Sequence, residues 1–185
     1  MEIDYPILVT PRLRLRPFAE DDVPALHALM QDPEVMRYVG DRRVPTLPET
    51  WRAVAGWIGH WALRGYGIWA IEERESGAVV GRAGVIYPVD WPSPEVGYLL
   101  GRDWWGRGYA TEAGGAAMDW GFTTIGFDRL ISLIDPANTA SIAVAERLGE
   151  TFDGETDLLG HRVLVYAIDR AAWSERKAIE PAVEP

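Results

Sequence analysis

Cysteine is absent from all 185 residues. The chain therefore has no disulfide scaffold, no thiol nucleophile, no iron–sulfur cluster and no Cys-based zinc site. Such a composition fits a reducing compartment. Positive charge is also scarce: 18 Lys and Arg stand against 28 Asp and Glu, a net charge of −10. Phosphate backbones are bound by clustered Lys and Arg, so the balance argues against a nucleic acid as the main partner, and none is expected. A cationic substrate is compatible with the charge. No window approaches the run of about 18 apolar residues that a membrane span needs. No apolar segment follows a basic start, so no secretory leader is expected, and the expectation is a cytoplasmic protein with no membrane partner. The three histidines, His27, His60 and His161, show no metal-ligand spacing. They read as two helix-surface residues and one turn residue, and no metal site is predicted. A G-x-S-x-G nucleophile elbow is missing, which argues against a serine hydrolase.

Tryptophan, by contrast, is abundant, with nine residues that suit both a core and a cleft wall. Length predicts one domain, residues 1–173, with a charged, proline-bearing tail over 174–185 that should fray. Leu13 and Leu15 alternate with Arg12, Arg14 and Arg16, the period of a half-exposed strand. The acids Glu20, Asp21 and Asp22 ahead of Pro24 open a helix. A short turn follows at 33–38. Thr46 and Glu49 have capping-box spacing for a second helix carrying Trp51, Trp57 and Trp61, which ends at Arg64-Gly65. That tryptophan stripe reads as core and interface, or as a wall of an acceptor site. Strands are predicted at 67–73, 78–87, 95–100 and 129–134, with helices at 108–122 and 138–148. A last hairpin spans 152–158 and 162–168. This order makes an α+β domain, a mixed sheet with helices on its faces.

The segment Trp104-Trp105-Gly106-Arg107-Gly108-Tyr109-Ala110-Thr111-Glu112 falls between a strand and a helix. Glycines there permit a sharp turn and a close ligand approach. The free amides of the following helix end and its dipole favour an anion, above all a phosphate or pyrophosphate. A bare tight turn is the plainer reading. A dinucleotide fingerprint would need a third glycine where Thr111 stands, and a phosphate-loop NTPase would need a G-K-[ST] that is absent.

The same segment, with Glu95-Val96-Gly97-Tyr98-Leu99-Leu100 before it and Asn138-Thr139-Ala140-Ser141 and Leu148-Gly149 after it, resembles the GNAT superfamily of N-acetyltransferases. The closest resemblance within it is to the ribosomal-protein alanine N-acetyltransferase (RimJ/RimL-type) group. It covers about residues 8–170, and the two motifs lie in the family's order. The resemblance implies a mostly antiparallel central sheet of about seven strands with about four helices. It also implies acetyl transfer from acetyl-coenzyme A (acetyl-CoA) to a primary amine, either a protein N-terminal α-amino group or a small-molecule amine. Carried over, the backbone at Leu99, Leu100 and Gly101 would pair with the pantetheine arm. The amides of Gly106, Arg107, Gly108, Tyr109, Ala110 and Thr111 would hold the pyrophosphate. Asn138 and Ser141 would lie at the thioester end. The chain departs from the family at Asp103, where a Gln or Arg is usual, so a side-chain phosphate contact is not expected there.

The chemistry needs a base. Amines are protonated at neutral pH, with a pKa of about 10.4 for lysine and about 7.7–8.0 for an α-amino group. A carboxylate raised by burial suits the task, and Glu95 is the candidate. An exposed strand-end carboxylate is its plainer reading. The amide at Leu99 or Leu100 could serve the oxyanion. Ser141 is the candidate proton donor to the departing thiolate, with Tyr98 and Tyr109 as others. Without cysteine, an acyl-cysteine intermediate is excluded, and the resemblance implies direct attack. Asn138 reads equally as a helix N-cap. Gly114 and Gly115 inside a helix imply close packing. The alternative function is a non-catalytic acyl-CoA-binding module. A monomer and a homodimer are both compatible with the sequence.

Overall fold

The elements follow from local patterns. The computed structural model describes residues 5–179. Its strands are β1 (Leu8–Val9), β2 (Leu13–Arg16), β3 (Ile68–Glu73), β4 (Val79–Ile86), β5 (Glu95–Leu100), β6 (Arg129–Ile134), β7 (Thr151–Leu158) and β8 (His161–Asp169). Its helices are α1 (Val23–Met30), α2 (Pro33–Met36), α3 (Leu47–Arg64), α4 (Tyr109–Trp120), α5 (Thr139–Leu148) and α6 (Arg170–Ile179). Leu13 and Leu15 are fully buried in β2 while Arg14 faces out, as the alternation requires. α3 starts on the expected capping box, with Thr46 N–H and Oγ1 both 2.8 Å from a Glu49 carboxylate oxygen. It stops at Gly65, which takes a left-handed conformation. The hairpin β7–β8 closes through Leu159 and Gly160, both at positive φ, the two-residue turn that matches strand twist.

The eight strands lie in the order β1-β2-β3-β4-β5-β6-β8-β7. Every neighbouring pair is antiparallel except β5–β6. Eight rather than about seven strands result because the two-residue β1 pairs with β2, too short a piece to leave a period in the sequence. Six helices form rather than about four: the 33–38 turn becomes α2, and α6 covers part of the expected tail. The apolar anchor of α6 is Trp173, 4 % exposed. The expected fraying from residue 174 is thus replaced by helix as far as Ile179, and residues 180–185 lie outside the described residues.

Two apolar layers flank the sheet. One joins Leu13, Leu15, Ile71, Val85, Val96 and Leu130 to α4 through Ala113, Ala117 and Met118. The other joins Ile68, Ala70 and Leu99 to Leu26 of α1 and Val54 of α3. Trp61, Trp69 and Trp120 meet with ring centroids 4.9–5.5 Å apart, so these three tryptophans belong to the core. Among the described residues no helix is long and apolar enough to cross a membrane.

Candidate functional site

β5 and β6 pair only at Glu95 and Ile131, where Ile131 N–H donates to Pro94 O at 3.0 Å. From Val96 to Leu100 that edge of β5 pairs with no strand among the described residues, so the sheet opens into a wedge. Leu99, Leu100 and Gly101 run along it. Leu100 O accepts Trp105 Nε1–H at 2.9 Å, which folds the next turn back onto the strand. At the apex Ser132 Oγ lies 3.3 Å from Val96 O.

The glycine turn stands at the open end. Gly106 and Gly108 have φ of 73° and 78°, a region that L side chains enter only at a cost. Gly108 is the N-cap of α4, and the first intrahelical bond runs from Glu112 N–H to Gly108 O. The amides of Tyr109, Ala110 and Thr111 therefore have no helical partner and sit at the positive end of the α4 dipole. A Cβ added at Gly106 would meet no atom within 4 Å, so the turn faces open space there, while one at Gly108 would lie 3.4 Å from Arg12 Nη2. Amide donors, helix dipole and open space together fit a pyrophosphate. Asp103 lies in the one-turn segment Arg102–Trp104 just before it.

Glu112 holds this turn in place. It accepts Thr10 Oγ1–H at 2.6 Å, Arg12 N–H at 2.9 Å and Arg12 Nε–H at 2.7 Å. Arg12 in turn donates to Arg107 O at 2.8 Å and lies 4.7 Å from the Tyr109 ring centroid. The segment ahead of β2 is thus clamped beneath the glycine turn. Nothing local in the sequence joins residue 12 to residue 112; only the charge pairing across 100 positions does.

Alternation along β5 separates two faces. Val96, Tyr98 and Leu100 pack toward α4. Glu95, Gly97 and Leu99 share the α1–α3 face, where Leu99 is buried. Glu95 is half-buried. Burial pushes its carboxyl up to about 7, while the Trp91 indole, the Arg82 charge and the Leu133 amide pull the other way. Trp91 Nε1–H donates to Glu95 Oε2 at 2.5 Å. The exposed strand-end reading of Glu95 does not describe this environment.

On the opposite side, Asn138 Oδ1 accepts Ser141 N–H at 3.2 Å, so Asn138 is the N-cap of α5. Tyr98 O–H donates to Ser141 O at 3.3 Å, and burial drives the Tyr98 phenol well above its ordinary value. A Cβ at Gly114 would come within 3.1 Å of Leu148 Cδ1 and 3.5 Å of Tyr98 Cδ1, which explains a glycine in mid-helix by close packing of α4 on α5 and β5. Tyr109 is buried and stacks on Trp104 at 6.0 Å.

The structure therefore gathers Leu99, Leu100, Gly101 and residues 106–111 along one side of the wedge. Glu95 sits at its apex, and Asn138 and Ser141 on its α5 side. The tryptophan stripe divides: Trp61 is core, Trp51 is half-exposed with its indole N–H on Glu20, and Trp57 reaches the β4–β5 face. His27 and His60 are polar bridges rather than plain surface residues. His27 Nδ1 lies 3.0 Å from Thr50 Oγ1, and His60 accepts Tyr87 N–H at 3.1 Å. His161 sits where the last hairpin turns, and among the described residues no cluster of His, Asp and Glu could hold a metal ion.

Three features went unread in the sequence. Glu150 is 2 % exposed and takes Ser132 Oγ–H within 3.0 Å of both carboxylate oxygens. Burial, with the Glu95 charge added, pushes it up to about 8. Arg82 and Trp91 both approach Glu95. A charged residue inside the apolar run Val79–Ile86 was the available signal for Arg82.

A sheet wedged open beside a glycine-rich helix cap, with a raised carboxylate at the apex, defines an acyltransferase architecture. The chain belongs to the acetyltransferase (GNAT) domain family, whose model matches residues 12–151. It is similar to YkkB of Bacillus subtilis, 37 % identical over 77 % of this chain and 83 % of that protein. An acetyltransferase structure from Agrobacterium tumefaciens superposes with a TM-score of 0.80 at 36 % identity, covering 91 % of this chain and 96 % of that one. The coenzyme A complex of RimL, a ribosomal-protein α-N-acetyltransferase, superposes with a TM-score of 0.73 at 27 % identity over 89 % and 98 % of the two chains. This protein is an N-acetyltransferase of that fold, and the fold uses acetyl-CoA.

Proposed function

We propose that the chain transfers the acetyl group of acetyl-CoA to a primary amine by direct attack, with Glu95 as general base. The observation that carries this reading is the carboxylate at the wedge apex, raised to about 7 and facing the α1–α3 side while the glycine turn lies along the strand. The RimL complex with coenzyme A supports acetyl-CoA as the donor. The pantetheine arm would run along Leu99, Leu100 and Gly101, and its pyrophosphate would rest on the amides of residues 106–111.

The amine enters between α3, the 88–94 loop and the β7–β8 hairpin. Glu95 takes its proton, the nitrogen lone pair forms the C–N bond, and the C–S bond breaks. Ser141 supplies a proton to the departing thiolate, and Asn138 fixes the turn on which Ser141 stands. A base whose pKa lies near the working pH is ionised yet still basic enough to accept the proton. The site opens to a cytoplasmic pool of donor and acceptor.

The test begins with calorimetric titration of acetyl-CoA beside NADH and ATP. Selective binding is expected, and a hundredfold excess over Kd should add about 2.7 kcal/mol of stability in a melting scan. Transfer to an amine should then rise with pH through about 7 as Glu95 ionises. Glu95→Gln should lose about 10²–10⁴-fold at neutral pH and recover toward high pH, where free amine is plentiful. A Glu95→Gln enzyme with full activity and an unchanged pH profile removes Glu95 as the base. Failure to bind acetyl-CoA removes the whole reading.

A further inference from the structure

β4 and β5 present a second charged group to the acceptor side. Arg82, Gly84 and Ile86 pair across the strands with Leu99, Gly97 and Glu95. Alternation puts all six on the α1–α3 face. Two glycines thus face each other between Arg82 at one end and Glu95 at the other. A Cβ added at Gly97 would meet nothing within 4 Å, so the floor is open over Gly97, whereas at Gly84 the Gly67 backbone already occupies the place of a Cβ.

Arg82 is in an unusual state. Its guanidinium lies 4.9 Å from the centroid of the Trp57 ring on α3. Among the described residues no carboxylate forms an ion pair with it, and its Nε is the buried side-chain polar atom left without a hydrogen-bond partner. Glu95 attracts it from beyond ion-pair distance, and burial pulls the guanidinium down to about 10. Arg82 is half-buried, and a buried guanidinium N–H without an acceptor is costly unless something compensates it. A site that tolerates the cost in the free protein and recovers it when occupied is how such groups persist. Stacking on Trp57 covers the guanidinium plane but gives its buried Nε–H no acceptor. Arg presents a planar fork of donors suited to carboxylate and phosphate oxygens.

We propose that Arg82 is the recognition residue for an acidic group on the acceptor, so that the substrate is a small amine that also carries a carboxylate or phosphate. This rests on the acetyltransferase reading above. The acceptor would lie over Gly97, its amine toward Glu95 and its acid toward the Trp57-backed guanidinium. The two ends are two cross-strand pairs apart, about 13 Å of strand before side chains reach inward. A compact zwitterion fits that span.

The experiment is a steady-state comparison of matched acceptors. α- and ω-amino acids are each run beside the amide or amine that lacks the acid, phosphoethanolamine beside ethanolamine, and spermidine as a polycation. Acid-bearing acceptors should have kcat/KM about 10- to 100-fold above their neutral partners, the size of a charge-assisted contact to an enclosed group. The carboxylate and phosphate arms tell which acid is read. Arg82→Gln should collapse that ratio to near one, chiefly through KM, with Arg82→Lys keeping part of it. Acetyl-CoA titration of each variant reports that the fold is intact. Should Arg82→Gln fail to fold, Trp57→Leu, which takes the ring from behind the guanidinium, should narrow the ratio in the same way. Equal rates for matched partners, preference for spermidine, or a ratio unmoved in every folded variant overturns the proposal while leaving the acetyltransferase reading standing. Loss of acetyl-CoA binding by the wild type would instead overturn that reading.

Discussion

Glu150 offers a test of the buried chemistry that needs no substrate. Its carboxyl is 2 % exposed, and Ser132 is the side chain that donates to it. Burial, reinforced by Glu95, holds it protonated up to about pH 8, against an ordinary value of 4.5. In the unfolded chain the same group ionises near that ordinary value. Between these pH values the unfolded state has released a proton that the folded state keeps, so raising the pH favours unfolding. The loss is at most about 1.4 kcal/mol per pH unit. From pH 4.5 to pH 7 this approaches about 3 kcal/mol, and the full window about 5 kcal/mol as a ceiling. Glu150→Gln keeps the shape and an acceptor for Ser132 but cannot ionise. Urea denaturation of both proteins at pH 5, 6, 7 and 8 should therefore show the variant gaining on the wild type at each step. Taking the difference between the two proteins removes the slope contributed by Glu95. A difference that stays flat across that range would refute the reasoning, because it would mean that Glu150 ionises in the folded state as easily as in the unfolded chain.

Two further outcomes follow from the site. Gly108→Val places a β-branched residue at φ 78°, and acetyl-CoA affinity measured by calorimetry should fall at least about tenfold as the cap distorts. Trp91→Phe removes the indole N–H from Glu95 Oε2, so the limb of the pH–rate profile that reports the base should move above its wild-type position near 7.

What could be read from the chain and what could not divides by range. β5 and β6 were legible to the residue because each is a short, largely apolar run bounded by turn signals. The capping box of α3 and the left-handed Gly149 that ends α5 are equally local. Among the described residues β1 escaped, since two residues carry no period, α6 escaped, since its first turn follows β8 without a break, and α2 was read only as a turn. At the site, the glycine turn and Asn138 announce themselves through conformation and capping. Glu112, Ser132 and Glu150 do not, because their partners lie 102, 36 and 18 positions away and only the folded sheet brings them together. Arg82 was legible as an anomaly, a cation in an apolar strand, but its partner Trp57 was not.

That anomaly changes how the charge of the whole chain bears on the acceptor. A net charge of −10 favours the approach of cations from a distance. Recognition is decided at contact range, where the groups are desolvated and solvent screens them little. On the α1–α3 face Arg16, across β3 from Arg82, is taken up by Asp22 and Glu72, whereas the Arg82 guanidinium at the floor over Gly97 has no ion-pair partner among the described residues. The charge that Arg82 offers there is positive, against the sign of the molecule. A polyamine steered in by the surface would arrive at a site that repels its second ammonium beside Arg82. An acceptor bearing one amine and one acid has no net charge and forgoes that long-range attraction, but it would answer both ends of the floor over Gly97. On the proposal above, the surface charge would bear on the rate of encounter, and Arg82 on β4 would set which amines are retained.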